Sequence, residues 1–309
     1  MKYDTYGRQY ELLQMPEVDV FLIGVPKAGT TWLAYALNQH DEIDLSDPKE
    51  PNIIASHRGT FVRTEEKPDW AKFTHHFGEK GLRMDASIHA FACPLAPSRI
   101  RKRLPDAKFI LCLREPVSRS FSHWNMVLNT KEAVANGLDW STFEKAWLDE
   151  HLRADSMYGS SMSRWLKEFD LDRFTIIDSE RLKSKPLSVL REIEQFLNVE
   201  SYDYNLNESR HSNSAISRRP MTSFGKLTRG AFSLIPEKLK LPIVRMLQKR
   251  DFNIYNLPIL SKKGISLKLD NMHYNICGET LINELELLED LTGFNTNIWQ
   301  NEITNRINN

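Results

Sequence analysis

The chain has 309 residues, 41 of them basic and 41 acidic, with 41% hydrophobic and 27% charged side chains. A chain of this length buries about three quarters of its unfolded surface, and the cancelling charges leave no net field to hold a nucleic acid, so any anion site must be local. Three cysteines, Cys93, Cys112 and Cys277, without a CxxC spacing argue against a disulfide scaffold or a zinc site.

The first 20 residues hold no signal-like apolar stretch, and nowhere do about 18 apolar residues run together, so the expectation is a cytoplasmic protein without a membrane span. "VDVFLIG" (18–24) is a short β-branched run that ends at glycine and reads as a buried strand. "TTWLAYALNQH" follows as a helix that is apolar nearly all round. "EIDLS" (42–46) and "GLRMDAS" (81–87) are further strand candidates, and "APSRIRKRLP" (96–105) has helical character up to Pro105. "AKFILCLRE" (107–115) is the clearest core strand, with Cys112 inside it, and Pro116 then suits the first turn of a helix. "RFTIID" (173–178) reads as a strand. "KPLSVLREIEQFLN" (185–198) reads as an amphipathic helix with Leu187, Leu190, Ile193, Phe196 and Leu197 on its apolar face. Residues 218–250 are basic and interrupted by Pro220, Pro236 and Pro242, which suggests an insertion or lid over about 218–264. The stretch from Gly278 to Trp299 reads as an amphipathic helix and a glycine turn. Strands alternating with helices predict one α/β domain with a central parallel sheet, its core at about 18–217 and 265–300.

Two loops carry candidate chemistry. "GVPKAGTTWL" joins a strand to a helix start, where free backbone N–H groups attract an anion; Gly24 and Gly29 permit close approach, Thr30 and Thr31 add hydroxyls, and Lys27 adds charge. A triphosphatase loop would place its lysine directly before the hydroxyl residue, and here Thr30 stands there. In "LREPVSRSFSHW", Arg114 ends a strand where a guanidinium can clasp a phosphate, and Ser122 follows eight residues later on a helix that also carries Ser118. Asp178 also ends a strand and keeps a metal site open. Two phosphate cradles suggest a nucleotide with phosphate at both ends.

Here the sequence resembles the sulfotransferases that use 3′-phosphoadenosine 5′-phosphosulfate (PAPS). "PKAGTTWL" is similar to their 5′-phosphosulfate loop, "LREPVSRSFSHW" to their 3′-phosphate motif, and "PKEP" (48–51) to the Lys-Glu element of glycan and bacterial-type members; "IDSERLKSKP" and the C-terminal helix with its Trp support the likeness from about residue 20 to 300. The resemblance implies a P-loop-like fold and PAPS as co-substrate, with no metal required. PAPS would be held by Pro26, Lys27, Ala28, Gly29, Thr30, Thr31, Trp32, Arg114, Ser122 and, in the late loop "RHSNSAISRRP", by Arg218 or Arg219. It implies transfer of the sulfonyl group to a hydroxyl or amine of a small-molecule or glycan acceptor, with Lys27 stabilising charge on the leaving phosphate. Glu50 would be the general base, with His57, Asp85 and His89 as rivals, and Lys49, Asp85 and His89 would line the acceptor side. Trp32 and Trp124 are candidates for stacking on adenine or acceptor. Residues of about 52–80 and 125–160 would line the acceptor cleft. A kinase with a degenerate phosphate loop and a non-catalytic nucleotide-binding module remain the alternatives.

Overall fold

Five parallel strands stack in the order β2-β5-β1-β6-β7, where β1 is Val20–Gly24, β2 Ile43–Leu45, β5 Leu82–Asp85, β6 Lys108–Leu113 and β7 Phe174–Asp178. The computed structural model describes residues 18–206, 265 and 267–309. The central strands are apolar on both faces because helices cover both. All five residues of β1 are buried, as are Phe109 to Leu113 of β6. Phe109 is the hub of one face: its ring lies 4.9 Å from Trp165, 4.7 Å from Phe169 and 4.8 Å from Phe174. Cys93, Cys112 and Cys277 are all buried and free.

The helices follow from local signals. In chain order they are α1 Thr30–Leu37, α2 Ala96–Arg101, α3 Pro116–Thr130, α4 Glu132–Ala135, α5 Phe143–Leu148, α6 Glu150–Arg153, α7 Tyr158–Trp165, α8 Ser179–Ser184, α9 Pro186–Leu197, α10 Asn271–Thr292 and α11 Asn297–Ile307. Pro116 opens α3 in its first turn, where no helical N–H is lost. The Asp270 side chain and His273 cap the start of α10 reciprocally, and Gly293 closes it in the left-handed conformation. This helix begins well before the predicted Gly278. On α9 the buried face is Val189, Leu190, Ile193 and Leu197, whereas Leu187, placed on that face by the sequence, is 44% exposed. A short hairpin, β3 His57–Arg58 with β4 Val62–Arg63, was not expected.

The topology positions the site. From β1 the chain runs out through β2 and back to β5 on one side, then crosses to β6 and β7 on the other. The loops after β1, β5 and β6 therefore meet at one carboxyl edge, where open parallel sheets bind ligands. The segment 218–264, and Arg218 and Arg219 with it, lies outside the described residues. Among the described residues no helix is long and apolar enough to cross a membrane.

Candidate active site

The loop between β1 and α1 has two residues in the left-handed region. Gly29, the residue before α1, has φ 88°, and Lys27 has φ 74°. Only glycine adopts that conformation freely, and for lysine it costs on the order of 1–3 kcal/mol. No side-chain hydrogen bond caps α1, so its first-turn N–H groups take no acceptor from a capping side chain. Lys27 and Thr31 are half-buried, whereas Pro26, Ala28 and Thr30 are buried, and the Ala28 carbonyl accepts from the Cys112 thiol at 3.1 Å. The part expected of Gly24 is corrected. A Cβ there would lie 3.0 Å from Phe91 Cβ and 3.3 Å from the Ile88 carbonyl, so this glycine admits protein rather than ligand.

The second motif meets the first. Arg114, at the end of β6, donates from Nη1 to the Lys27 carbonyl at 3.2 Å, and Tyr158 OH donates to the Arg114 carbonyl at 2.8 Å. Ser122 lies half-buried on α3, and Lys27 Nζ reaches that same helix, 3.8 Å from Met126 Sδ. Sequence reasoning missed Glu115. Its carboxylate caps α3, accepting from Val117 N–H at 2.8 Å and Ser118 N–H at 2.6 Å; an acid directly before the Pro at N1 is the signal that identifies it. Asp178, held open as a metal ligand, caps α8 through Glu180 N–H at 2.8 Å. Among the described residues no group of three His, Cys, Asp or Glu has the arrangement to hold a metal ion.

A third cluster forms beyond β2 and β5. Lys49 Nζ lies 2.7 Å from Glu50 Oε1 and donates to the Ala86 carbonyl at 3.2 Å. Lys49, expected to contact the acceptor, here pairs with Glu50 and the backbone. Asp85 is 2% exposed, and its Oδ1 accepts from Ser87 N–H at 2.7 Å; Ser87 Oγ in turn accepts from Asn52 N–H at 3.0 Å. Burial, reinforced by the nearby Glu50 charge against the Ser87 hydrogen bonds, pushes Asp85 up to about 6. The folded state therefore keeps this proton at a pH where the unfolded chain, near 3.8, has lost it. The stability involved is fully present below the unfolded value and is lost as pH rises through 6. Asp85→Asn keeps the acceptor oxygen and removes the titration. Its melting temperature should exceed the wild type's above pH 6 and converge with it near pH 4, read by thermal unfolding across that range. A difference independent of pH would refute the assignment.

His57, on β3, is half-buried, and burial together with Arg63 lowers its imidazole to about 4, so it is neutral at pH 7. His89 is buried, with Nδ1 3.3 Å from Asp155 Oδ2. Asp155 also faces His123 Nδ1 at 3.7 Å and Arg119 Nη1 at 3.9 Å. Burial alone would raise Asp155, but His89, Arg119 and His123 together outweigh it and hold the carboxylate well below its usual range. Arg119, fully buried, donates to Ser156 Oγ at 2.5 Å and the Leu152 carbonyl at 2.9 Å, while Thr60 Oγ1 bonds His123 Nε2 at 2.9 Å. This network ties α3 to α6 and to the hairpin connection. Asp155 had no sequence signal: it sits alone between two helices. Trp124 belongs to the core, donating to the Trp140 carbonyl at 2.9 Å, and Trp32 is half-buried on α1.

A family model for the sulfotransferase domain matches residues 17–233. The chain is 29% identical to mouse heparan sulfate glucosamine 3-O-sulfotransferase 5 over 60% of this chain and 54% of the relative. It is 26% identical to mouse bifunctional heparan sulfate N-deacetylase/N-sulfotransferase 4 over 67% of this chain and 25% of the relative. The chain thus spans about half the length of the first relative and a quarter of the second. A sulfotransferase structure from Alicyclobacillus acidocaldarius shares the fold, with a TM-score of 0.60 at 16% identity over 92% of this chain and 99% of that one. The relatives, named as heparan sulfate sulfotransferases, count against the cytoplasmic expectation, which is corrected here. The family model covers the sheet, the Lys27 loop and the Arg114 motif together, and the chain belongs to the sulfotransferase domain family, whose co-substrate is PAPS.

Proposed function

We propose that this chain transfers the sulfonyl group of PAPS to a hydroxyl or amine of a glycan or small-molecule acceptor. The single observation that carries the reading is the hydrogen bond from Arg114 to the Lys27 carbonyl, which joins the loop after β1 to the end of β6 at one sheet edge. The residues fit a nucleotide with phosphate at both ends. The uncapped start of α1 and Lys27 suit the 5′ group, and Arg114 with Ser122 suits the 3′-phosphate. The heparan sulfate named for the relatives supports a glycan acceptor.

Bound PAPS supplies an activated sulfonyl group on a phosphate leaving group. The chain's own part is electrostatic and positional. Lys27, fixed in its unusual backbone conformation, presents a cation to the oxygen on which charge develops, and the α1 N–H groups add partial positive charge. Glu50 takes the acceptor's proton, and the Lys49 ammonium, anchored on Ala86, holds that carboxylate in one orientation. One observation favours a second base: His89 Nδ1 lies 3.3 Å from Asp155 Oδ2.

A thermal-shift titration tests the nucleotide. The desulfated product, 3′-phosphoadenosine 5′-phosphate (PAP), should raise the melting temperature; at a hundred times its Kd the gain corresponds to about 2.7 kcal/mol. Stabilisation by ATP with Mg²⁺ and none by PAP would instead support a kinase. Binding of PAP without sulfation of any acceptor would support a non-catalytic module.

A further inference from the structure

The proposed transfer depends on the charge of Lys27, and Lys27 Nζ lies 3.8 Å from the thioether sulfur of Met126 on α3. Met126 follows Ser122 by one helical turn, so the nucleotide cradle and this sulfur share one side of the helix. The Lys27 backbone is set at φ 74°, and its carbonyl accepts from Arg114. With the backbone held, Lys27 moves its charge by rotating its side chain. A thioether is a weak acceptor. The ammonium therefore leaves Met126 for a phosphate oxygen at little cost, and returns when the site empties.

The same sulfur is open to oxidation. Met126 is half-buried, whereas Met84 and Met162 are fully buried. The thiols offer a peroxide little. Cys93, Cys112 and Cys277 are all buried, and burial pushes the Cys112 and Cys277 thiols up, away from the reactive thiolate. Met157 is half-buried and Met272 is 58% exposed, but neither lies on α3: one precedes α7 and the other belongs to α10. Hydrogen peroxide gives one oxygen atom to a thioether. The sulfur loses two electrons as the S–O bond forms, the O–O bond breaks, and water leaves. The product oxygen is polar, and an ammonium donates to such an acceptor far more strongly than to sulfur.

We infer that Met126 is an oxidation-sensitive positioning residue: its sulfoxide holds the Lys27 ammonium on α3 and withholds it from the leaving phosphate, which slows transfer without emptying the nucleotide site. The inference rests on the sulfotransferase reading for the role of Lys27, but the contact between the ammonium and Met126 stands without it. Methionine sulfoxide reductases restore the thioether, so the change is reversible.

Treatment of the full chain with hydrogen peroxide, followed in time, tests this. Peptide mass spectrometry reads which methionines gain an oxygen. Conversion of PAPS to PAP with heparan sulfate as acceptor reads turnover, and calorimetry reads PAP affinity. A short pulse of an amine-acylating ester reads the reactivity of the Lys27 amine. Turnover should fall about tenfold in step with oxygen uptake at Met126, while PAP affinity stays within a few-fold and acylation of Lys27 slows. Met126→Leu, measured against its own untreated rate, should resist the peroxide although Met157 and Met272 are oxidised in it. Met126→Gln, whose amide oxygen imitates the sulfoxide, should be slow before any treatment. A methionine sulfoxide reductase should rescue the oxidised wild type and leave Met126→Gln slow. Oxidation of Met126 with turnover intact, or an equal loss in Met126→Leu, would overturn the inference. So would a loss of PAP affinity that matches the loss of turnover, because the sulfoxide would then obstruct the nucleotide. A wild type that converts no PAPS, with acylation of Lys27 still slowed by oxidation at Met126, would sink the sulfotransferase reading and leave the pairing of Lys27 with Met126 standing.

Discussion

Lys27→Ala should lower kcat by about 10²–10³-fold, the usual cost of removing one donor aimed at a developing charge, while PAP affinity stays within a few-fold. PAP has no sulfonyl group and already carries its phosphate charge, so the α1 N–H groups and Arg114 retain their share of binding. Charge that develops only during transfer has Lys27 as its cation in this loop. The conformation complicates the reading, because Lys27 sits at φ 74°. Lys27→Gly serves as the control. Glycine relieves the backbone strain, so this variant should melt at or above the wild-type temperature and still lose turnover. An equal drop in kcat and in PAP affinity would show that Lys27 binds phosphate in the ground state and is not selective for the transition state.

The central sheet was legible because parallel strands covered on both faces leave continuous apolar runs, as in Phe21–Ile23 and Phe109–Leu113. Breaks in those runs fall where loops begin, and so Lys27 and Arg114 could be placed at strand ends. The start of α3 was legible from Pro116. What the sequence did not show depends on contacts across the chain. Two-residue strands such as His57–Arg58 leave no alternation to read, and the hairpin appears only because the backbone folds back through Gly59, φ 65°. The Asp155 network joins Arg119 and His123, four residues apart on α3, to Thr60, His89 and Asp155 from elsewhere in the chain, and those long-range partners carry no local pattern.

The same limit bears on Gly24 and Lys49. Gly24 looked like a ligand-facing glycine because it stands before a phosphate-type loop, yet the neighbour that needs its missing Cβ is Phe91, far along the chain. Lys49 was expected on the acceptor side from the resemblance alone, and the fold adds its pairing with Glu50. Adjacency in sequence was the real information, since the two side chains pair directly, and the third partner, Ala86, arrives through strand order. Residue type and the breaks in apolar runs located Lys27 and Arg114 at strand ends. Charge pairing, which decides which ion is already satisfied, required the fold.

Glu50→Gln should lower turnover by about 10²–10⁴-fold, the range for a positioned proton acceptor, with PAP affinity and melting temperature close to wild type. Glutamine retains an oxygen for the Lys49 ammonium and for the local packing, so the substitution removes the proton-accepting charge and little else. Lys49→Met is the companion variant. It frees the carboxylate from the contact that orients it, and a loss of kcat with unchanged acceptor KM would mark Lys49 as a positioning residue; a rise in KM with kcat intact would return it to the acceptor side, as first expected. His89→Asn decides between the two bases. If Glu50→Gln costs less than tenfold while His89→Asn abolishes turnover without a loss of melting temperature, the proton passes to His89, and Asp155 becomes the group that orients it. If His89→Asn instead lowers the melting temperature and leaves kcat of the folded fraction intact, the histidine is a structural partner of Asp155. Glu50 then remains the base, set against Lys49 at the carboxyl edge where β2 and β5 end.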